Sequence, residues 1–175
     1  MPIREIFKLR YKFFMEQKNY IIKAVASGSS MRPLIKHGNY LTIKLDSKKK
    51  LQSYNVGDIP AYIQKGSINA HRIIKKVKNK NNKYKYLVKG DNNVNSDGFF
   101  YKAFFIGRVI SIKNNKKMID LTNPSSIFIQ KVLFTNYSKA NSVLPQLLNL
   151  NNLEKIPFIK KIYQKLIYSP CFFIK

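Results

Sequence analysis

The chain has 175 residues, 45% hydrophobic and 13% aromatic, enough to bury one core and carry extensions. Its 33 basic residues stand against 8 acidic ones, a formal charge of +25 that attracts polyanions; only Arg4, Arg10, Arg32, Arg72 and Arg108 carry the planar fork that suits nucleic acid, so an anionic membrane surface is the expected polyanion and nucleic acid is not. One cysteine, Cys171, excludes a disulfide within the chain, and two histidines, His37 and His71, offer no zinc-ligand spacing, so neither metal nor organic cofactor is expected.

Residues 1–19 begin the chain with Ile3, Ile6, Phe7, Phe14 and Met15 at roughly helical spacing among Lys8, Lys12 and Lys18, a pattern that predicts a short basic amphipathic helix. Charges interrupt every candidate core of a cleavable signal peptide here, and no stretch of the chain approaches the ~20 apolar residues of a membrane span. The expected location is cytoplasmic or peripheral to a membrane.

Residues 20–113 read as β. The run Tyr20–Ala26 is β-branched and ends at a Ser/Gly turn, and Tyr40–Leu45 alternates with period two. Asp58–Ile63 and Ser67–Val77 form an expected hairpin around Lys65-Gly66, with Pro60 marking the first strand as an edge or bulged one. Residues 78–83 are a polar turn, Tyr84–Lys89 the next strand, and Phe104–Ile112 the last, where Gly107 signals a bulge or close approach. The whole predicts a mainly β unit, a twisted sheet or small open barrel. Residues 114–175 turn helical and lysine-rich: Ile127, Ile129, Val132 and Leu133 suggest one helix, and Leu144, Leu147, Leu148 and Ile156 to Leu166 one or two more.

Three segments carry candidate chemistry. Ser27-Gly28-Ser29-Ser30-Met31-Arg32-Pro33 puts hydroxyls on a turn at a strand end, where a serine can become a nucleophile if a base takes its proton. Asn69-Ala70-His71-Arg72-Ile73 sets a histidine, the usual base, inside an apolar strand. Lys89-Gly90-Asp91-Asn92-Asn93 and the following Asp97 place two carboxylates six residues apart in a chain poor in acids, and a carboxylate beside a histidine fixes its tautomer. A Ser-rich turn, a core histidine and turn-forming aspartates are the ordinary reading of each piece taken alone; His37, in Ile35-Lys36-His37-Gly38, reads as a turn residue.

The order of these pieces resembles the signal peptidase type I family of serine peptidases, in the Ser–His branch typified by the endoplasmic reticulum signal peptidase. Gly28-Ser29-Ser30-Met31-Arg32-Pro33 stands where the family has Ser-Gly-Ser-Met-x-Pro, Val56-Gly57-Asp58-Ile59 where it has Gly-Asp before a strand, and His71-Arg72-Ile73 where this branch has His-Arg-Ile. Lys89 to Asn93 matches its Lys-Gly-Asp-Asn-Asn box and Ile106-Gly107-Arg108-Val109 its closing strand; the likeness covers about Ala26 to Ile112. It implies a signal peptidase/LexA-like fold and an endopeptidase acting on a precursor protein or leader peptide. It also implies Ser30 as nucleophile, His71 as general base, Asp97 as the partner of His71, and Asp91 as structural, with Ser29 and Gly28 in supporting places. Gly28 stands where many bacterial members have a hydroxyl that completes the oxyanion hole, which leaves a second donor unassigned. The readings kept beside a signal peptidase are a cytoplasmic leader-peptide protease of a peptide maturation or export system, and a non-catalytic basic module for an anionic membrane or nucleic acid.

Overall fold

The β-branched and aromatic runs pair into two antiparallel sheets. The structure, a computed structural model, describes residues 20–46, 53–64, 66–114 and 117–147, with the side chains of 143–147 excepted. The helix expected over 1–19 and the part of the extension beyond 147, Cys171 included, lie outside the described residues.

Six strands build the larger sheet: β1 (Ile21–Val25), β2 (Tyr40–Leu45), β3 (Pro60–Gln64), β4 (Ser67–Ala70), β8 (Phe105–Lys113) and β9 (Met118–Asp120). Their order is β1-β2-β8-β3-β4, with β9 pairing the end of β8. The smaller sheet is β5 (Arg72–Lys78), β6 (Tyr84–Lys89) and β7 (Gly98–Tyr101), in that order. The fold is therefore mainly β and antiparallel, and the sheets do not close into a barrel.

The expected hairpin forms as β3–β4 around residues 65 and 66. Its second arm, which reads as one strand from Ser67 to Val77, divides: β4 ends at Ala70, β5 starts at Arg72, and the chain passes from one sheet to the other at His71. Pro60 opens β3, where its missing N–H costs little; β3 is an interior strand, not an edge, and its pairing with β8 slips between Ala61 and Tyr62. Gly107 is a close approach, since a Cβ there would stand 2.9 Å from Leu45 Cα. Strands β7 and β9 were not expected, and β9 falls inside the extension read as helical.

Two cores fill the fold, one on the larger sheet and one shared between the two sheets. Met31, Ile35, Leu41, Ile43, Ile59, Val109 and Ile112 belong to an aliphatic cluster on the larger sheet. Tyr54, Tyr62, Ile73, Tyr86, Val88 and Phe105 form an aromatic-rich one. Fully burying a side chain such as Ile43 or Val109 is worth about 1.5–3 kcal/mol.

After β9, Asn123 caps a helix by accepting from Ser126 N at 2.7 Å, and Pro124 takes the first helical position, where its ring is tolerated. Helix α1 (Pro124–Ile129) runs through a π-helical segment (Gln130–Phe134) into α2 (Thr135–Leu147). Among the described side chains of this run Ser126, Gln130, Phe134, Thr135, Tyr137 and Ser138 are buried, while Ile127, Phe128 and Val132 are exposed. The apolar stripe expected through Ile127 and Val132 thus faces outward. The reason is what the helix packs on: its inner face meets polar groups, the Lys89 ammonium and the Asp91 carbonyl, which ask for hydroxyl, amide and carbonyl partners.

Candidate active site

Strand β1 delivers the serine-rich turn. Its ladder with β2 continues past the strand end through Ala26 N to Asn39 O, 2.9 Å, and Gly38 N to Ala26 O, 2.8 Å. Residues 29–35 then coil tightly, with Arg32 N on Ser29 O at 3.1 Å and Ile35 N on Met31 O at 3.0 Å. Met31 drops into the aliphatic core at 4% exposure and leaves the Ser30 hydroxyl at the surface of the fold. Gly28 and Ser29 flank it, both exposed; a Cβ on Gly28 would stand 3.9 Å from Ser30 Oγ and 4.0 Å from Ser30 N.

His71, at the passage between sheets, meets this hydroxyl. Ser30 Oγ lies 2.7 Å from His71 Nε2, and His71 Nδ1 lies 2.6 Å from Asp97 Oδ2. A carboxylate only accepts, so Nδ1 carries the proton and Nε2 presents its lone pair to the serine O–H. The His71 and Asp97 side chains keep 11% and 16% of their surface, enough for a reacting group to reach them and little enough to hold them in place. Three residues far apart in sequence therefore form one continuous relay, and they are the three that the sequence singles out.

Asp91 goes elsewhere. Its two oxygens accept from Arg72 Nε at 2.8 Å and Nη2 at 2.7 Å, while Arg72 Nη1 donates to Gly57 O at 2.8 Å. Both side chains of this bidentate pair are fully buried, and the Arg72 guanidinium also stacks 5.3 Å from the Phe134 ring centroid. His37 stays apart: its Nδ1 bonds Ser27 O at 2.9 Å on the outside of the turn.

The box around Asp91 braces the Ser30 turn. Asn92 N donates to Ser30 O at 2.7 Å and Asn93 N to Gly90 O at 3.0 Å. Gly90 has no room for a side chain, since a Cβ would stand 2.9 Å from Ser30 O. Behind it, Lys89 is fully buried and donates to Ser138 O at 2.6 Å, to Ser138 Oγ at 3.3 Å and to Gly90 O at 3.3 Å. Burial pushes this lysine down to about 8, against the pull of Asp91 and Asp97 toward the charged form.

One member of the site carries no signal in the sequence. Tyr62, on β3 and fully buried, places its hydroxyl 3.0 Å from Asp97 Oδ2 and 3.0 Å from His71 Nδ1. Its ring packs against Phe100, with centroids 4.8 Å apart. Burial first, then the neighbouring Asp97 charge, pushes its ionisation well above the usual phenol range. An aromatic residue in an apolar strand reads as core, and only the fold shows where its oxygen ends.

Among the described residues no group of three or more His, Cys, Asp or Glu side chains is placed to hold a metal ion, and no helix is long and apolar enough to cross a membrane. What the arrangement offers is a polarised hydroxyl. No protein-family model matches the chain, and a search of curated proteins finds no match either.

Proposed function

We propose that the chain is a serine endopeptidase of the signal-peptidase type, cleaving a leader or signal segment from a precursor. The observation that carries the reading is the relay from Ser30 Oγ through His71 to Asp97, at 2.7 and 2.6 Å. As Ser30 attacks a scissile carbonyl, His71 Nε2 takes the hydroxyl proton, and Asp97 steadies the imidazolium that results. His71 then returns the proton to the leaving amine, which departs and leaves an acyl-enzyme. Water, deprotonated in turn by His71, hydrolyses that ester and frees Ser30. The Ser30 N–H serves as one donor to the oxyanion; Gly28 brings no side-chain donor beside it.

The sheet supports an extended substrate. Among the described residues β1 and β4 end the main strand order, and β1 runs into the Ser30 turn while β4 runs into His71. A peptide added along either edge gains main-chain hydrogen bonds and arrives at the reacting groups. A cytoplasmic leader-peptide protease uses the same site on a different precursor. The second reading, a basic module on an anionic membrane, draws on exposed apolar side chains such as Phe104 and Phe128, 60% and 65% exposed, together with the charge of +25.

Incubation with a library of leader-type peptides, read by mass spectrometry, tests the proposal. Ser30→Ala should abolish cleavage with circular dichroism and melting temperature unchanged, and Ser29→Ala should keep it within about tenfold, since Ser29 lies outside the relay. Cleavage that survives Ser30→Ala sinks the reading. Equal binding of both proteins to anionic vesicles, with no cleavage by either, favours the basic module.

A further inference from the structure

We infer that Tyr62 is a positioning residue for the His71–Asp97 pair, its hydroxyl saturating the Asp97 oxygen that faces the imidazole and so fixing the carboxylate in line with the ring. The inference rests on the peptidase reading above and deepens it.

Three polar atoms make a closed triangle: His71 Nδ1 to Asp97 Oδ2 at 2.6 Å, Tyr62 Oη to Oδ2 at 3.0 Å, and Oη to Nδ1 at 3.0 Å. Oδ2 is the only pure acceptor in it, so the phenol proton and the Nδ1 proton both point there. The phenol is poised to stay a donor, because the fully buried ring excludes water and Asp97 disfavours a phenolate. Held between two donors, one on β3 and one at the passage from β4 to β5, the carboxylate is turned toward both. Asp97 sits on a loop before β7 and follows a run of exposed residues, Val94, Asn95 and Ser96, so it needs such a tether. The ring itself is anchored between Phe100 and Phe105, at 4.8 and 6.4 Å, which makes Oη the rigid corner of the triangle.

The hydroxyl also sets how strongly Asp97 holds the imidazolium. A carboxylate oxygen that already accepts from a phenol is a weaker acceptor for a second proton. Without the phenol, Asp97 holds the imidazolium more strongly, so His71 keeps its proton more tightly and returns it to the leaving amine less readily.

Tyr62→Phe removes one oxygen and keeps the packed ring, with the melting temperature reporting the fold. Titration of the His71 ring by NMR, with His37→Gln identifying its signals, needs no substrate. The midpoint should move upward by half a unit or more. In peptide cleavage, kcat should fall about 10- to 100-fold with KM within about twofold. In an Asp97→Asn background the same change should cost less than about twofold, because Tyr62 acts through Asp97. An unchanged His71 midpoint, or an equal kcat loss in both backgrounds, overturns the inference and leaves Tyr62 a packing residue. A shifted midpoint in a protein that cleaves no peptide upholds the positioning role and instead removes the peptidase reading.

Discussion

His71 and Arg72 are neighbours in the chain, and each meets an aspartate from the same short segment, yet the two pairs are built for different ends. Arg72 and Asp91 are fully buried, bidentate, and closed off by the Gly57 carbonyl and the Phe134 ring. Both carboxylate oxygens and each guanidinium nitrogen have a partner, and neither side chain keeps exposed surface for a reacting group to reach. His71 and Asp97 keep a margin of exposure and leave Nε2 open toward a hydroxyl. One pair locks the segment in place; the other, beside it, presents an imidazole nitrogen to Ser30. A charge pair signals chemistry when one of its lone pairs is left free and reachable, not when it is strong.

The contrast can be broken at each end. The largest effect belongs to Asp97→Asn, which should lower kcat by about 10³–10⁴-fold, since the amide favours the wrong imidazole tautomer. Chemical denaturation should show the unfolding free energy changed by less than about 1 kcal/mol. Asp91→Asn should invert that outcome. It leaves the Arg72 guanidinium buried with half its partner gone, at about 3–5 kcal/mol of stability, while kcat per folded molecule stays within about tenfold. Equal activity losses with equal unfolding in the two variants would erase the distinction.

A smaller effect sharpens the structural side. With Lys89 pushed down to about 8 by burial, the unfolded chain binds a proton between about pH 8 and the ordinary lysine value near 10.4 that the folded chain does not. Stability therefore rises with pH across that window, and the cost of the buried ammonium is fully present below it. Denaturation at pH 7.5 and 10.5 should show the wild type gaining up to about 3 kcal/mol relative to Lys89→Met, at about 1.4 kcal/mol per unit. A difference that stays flat with pH would mean that Lys89 remains charged against Ser138 throughout.

Much of this site could be read from the order of a few residues. Ser30, His71 and Asp97 stand in motifs that are ordinary one by one and stand out only by their order along the chain, and the fold brings those three within hydrogen-bond reach. The strands that alternate cleanly, Tyr40–Leu45 and Tyr84–Lys89, fall where the pattern puts them. The passage between sheets at His71 was hidden because Ser67–Val77 is β-forming throughout, and only pairing partners distant in sequence divide it. Strand β7 was missed because Gly98-Phe99-Phe100-Tyr101 follows a polar turn with no alternation to mark it. The inward face of the α1–α2 helical run misled for a deeper reason. Periodicity assumes an apolar neighbour, whereas Ser138 and Asn141 face the Lys89–Asp91 segment, where polar groups are the better match. Buried Lys89 was invisible on the same ground: lysine belongs at the surface unless the fold supplies oxygens for all its protons.

The change of sheet at His71 gives the molecule a mechanical character. Ser30 follows a strand of the larger sheet and Asp97 precedes one of the smaller, with His71 at the joint. A load that tilts one sheet against the other is felt at the 2.7 Å contact and in the aromatic core that the sheets share, and a misplacement of about 1 Å can cost about 10²-fold in rate. Turnover would then act as a strain gauge, falling steeply with the angle between the sheets.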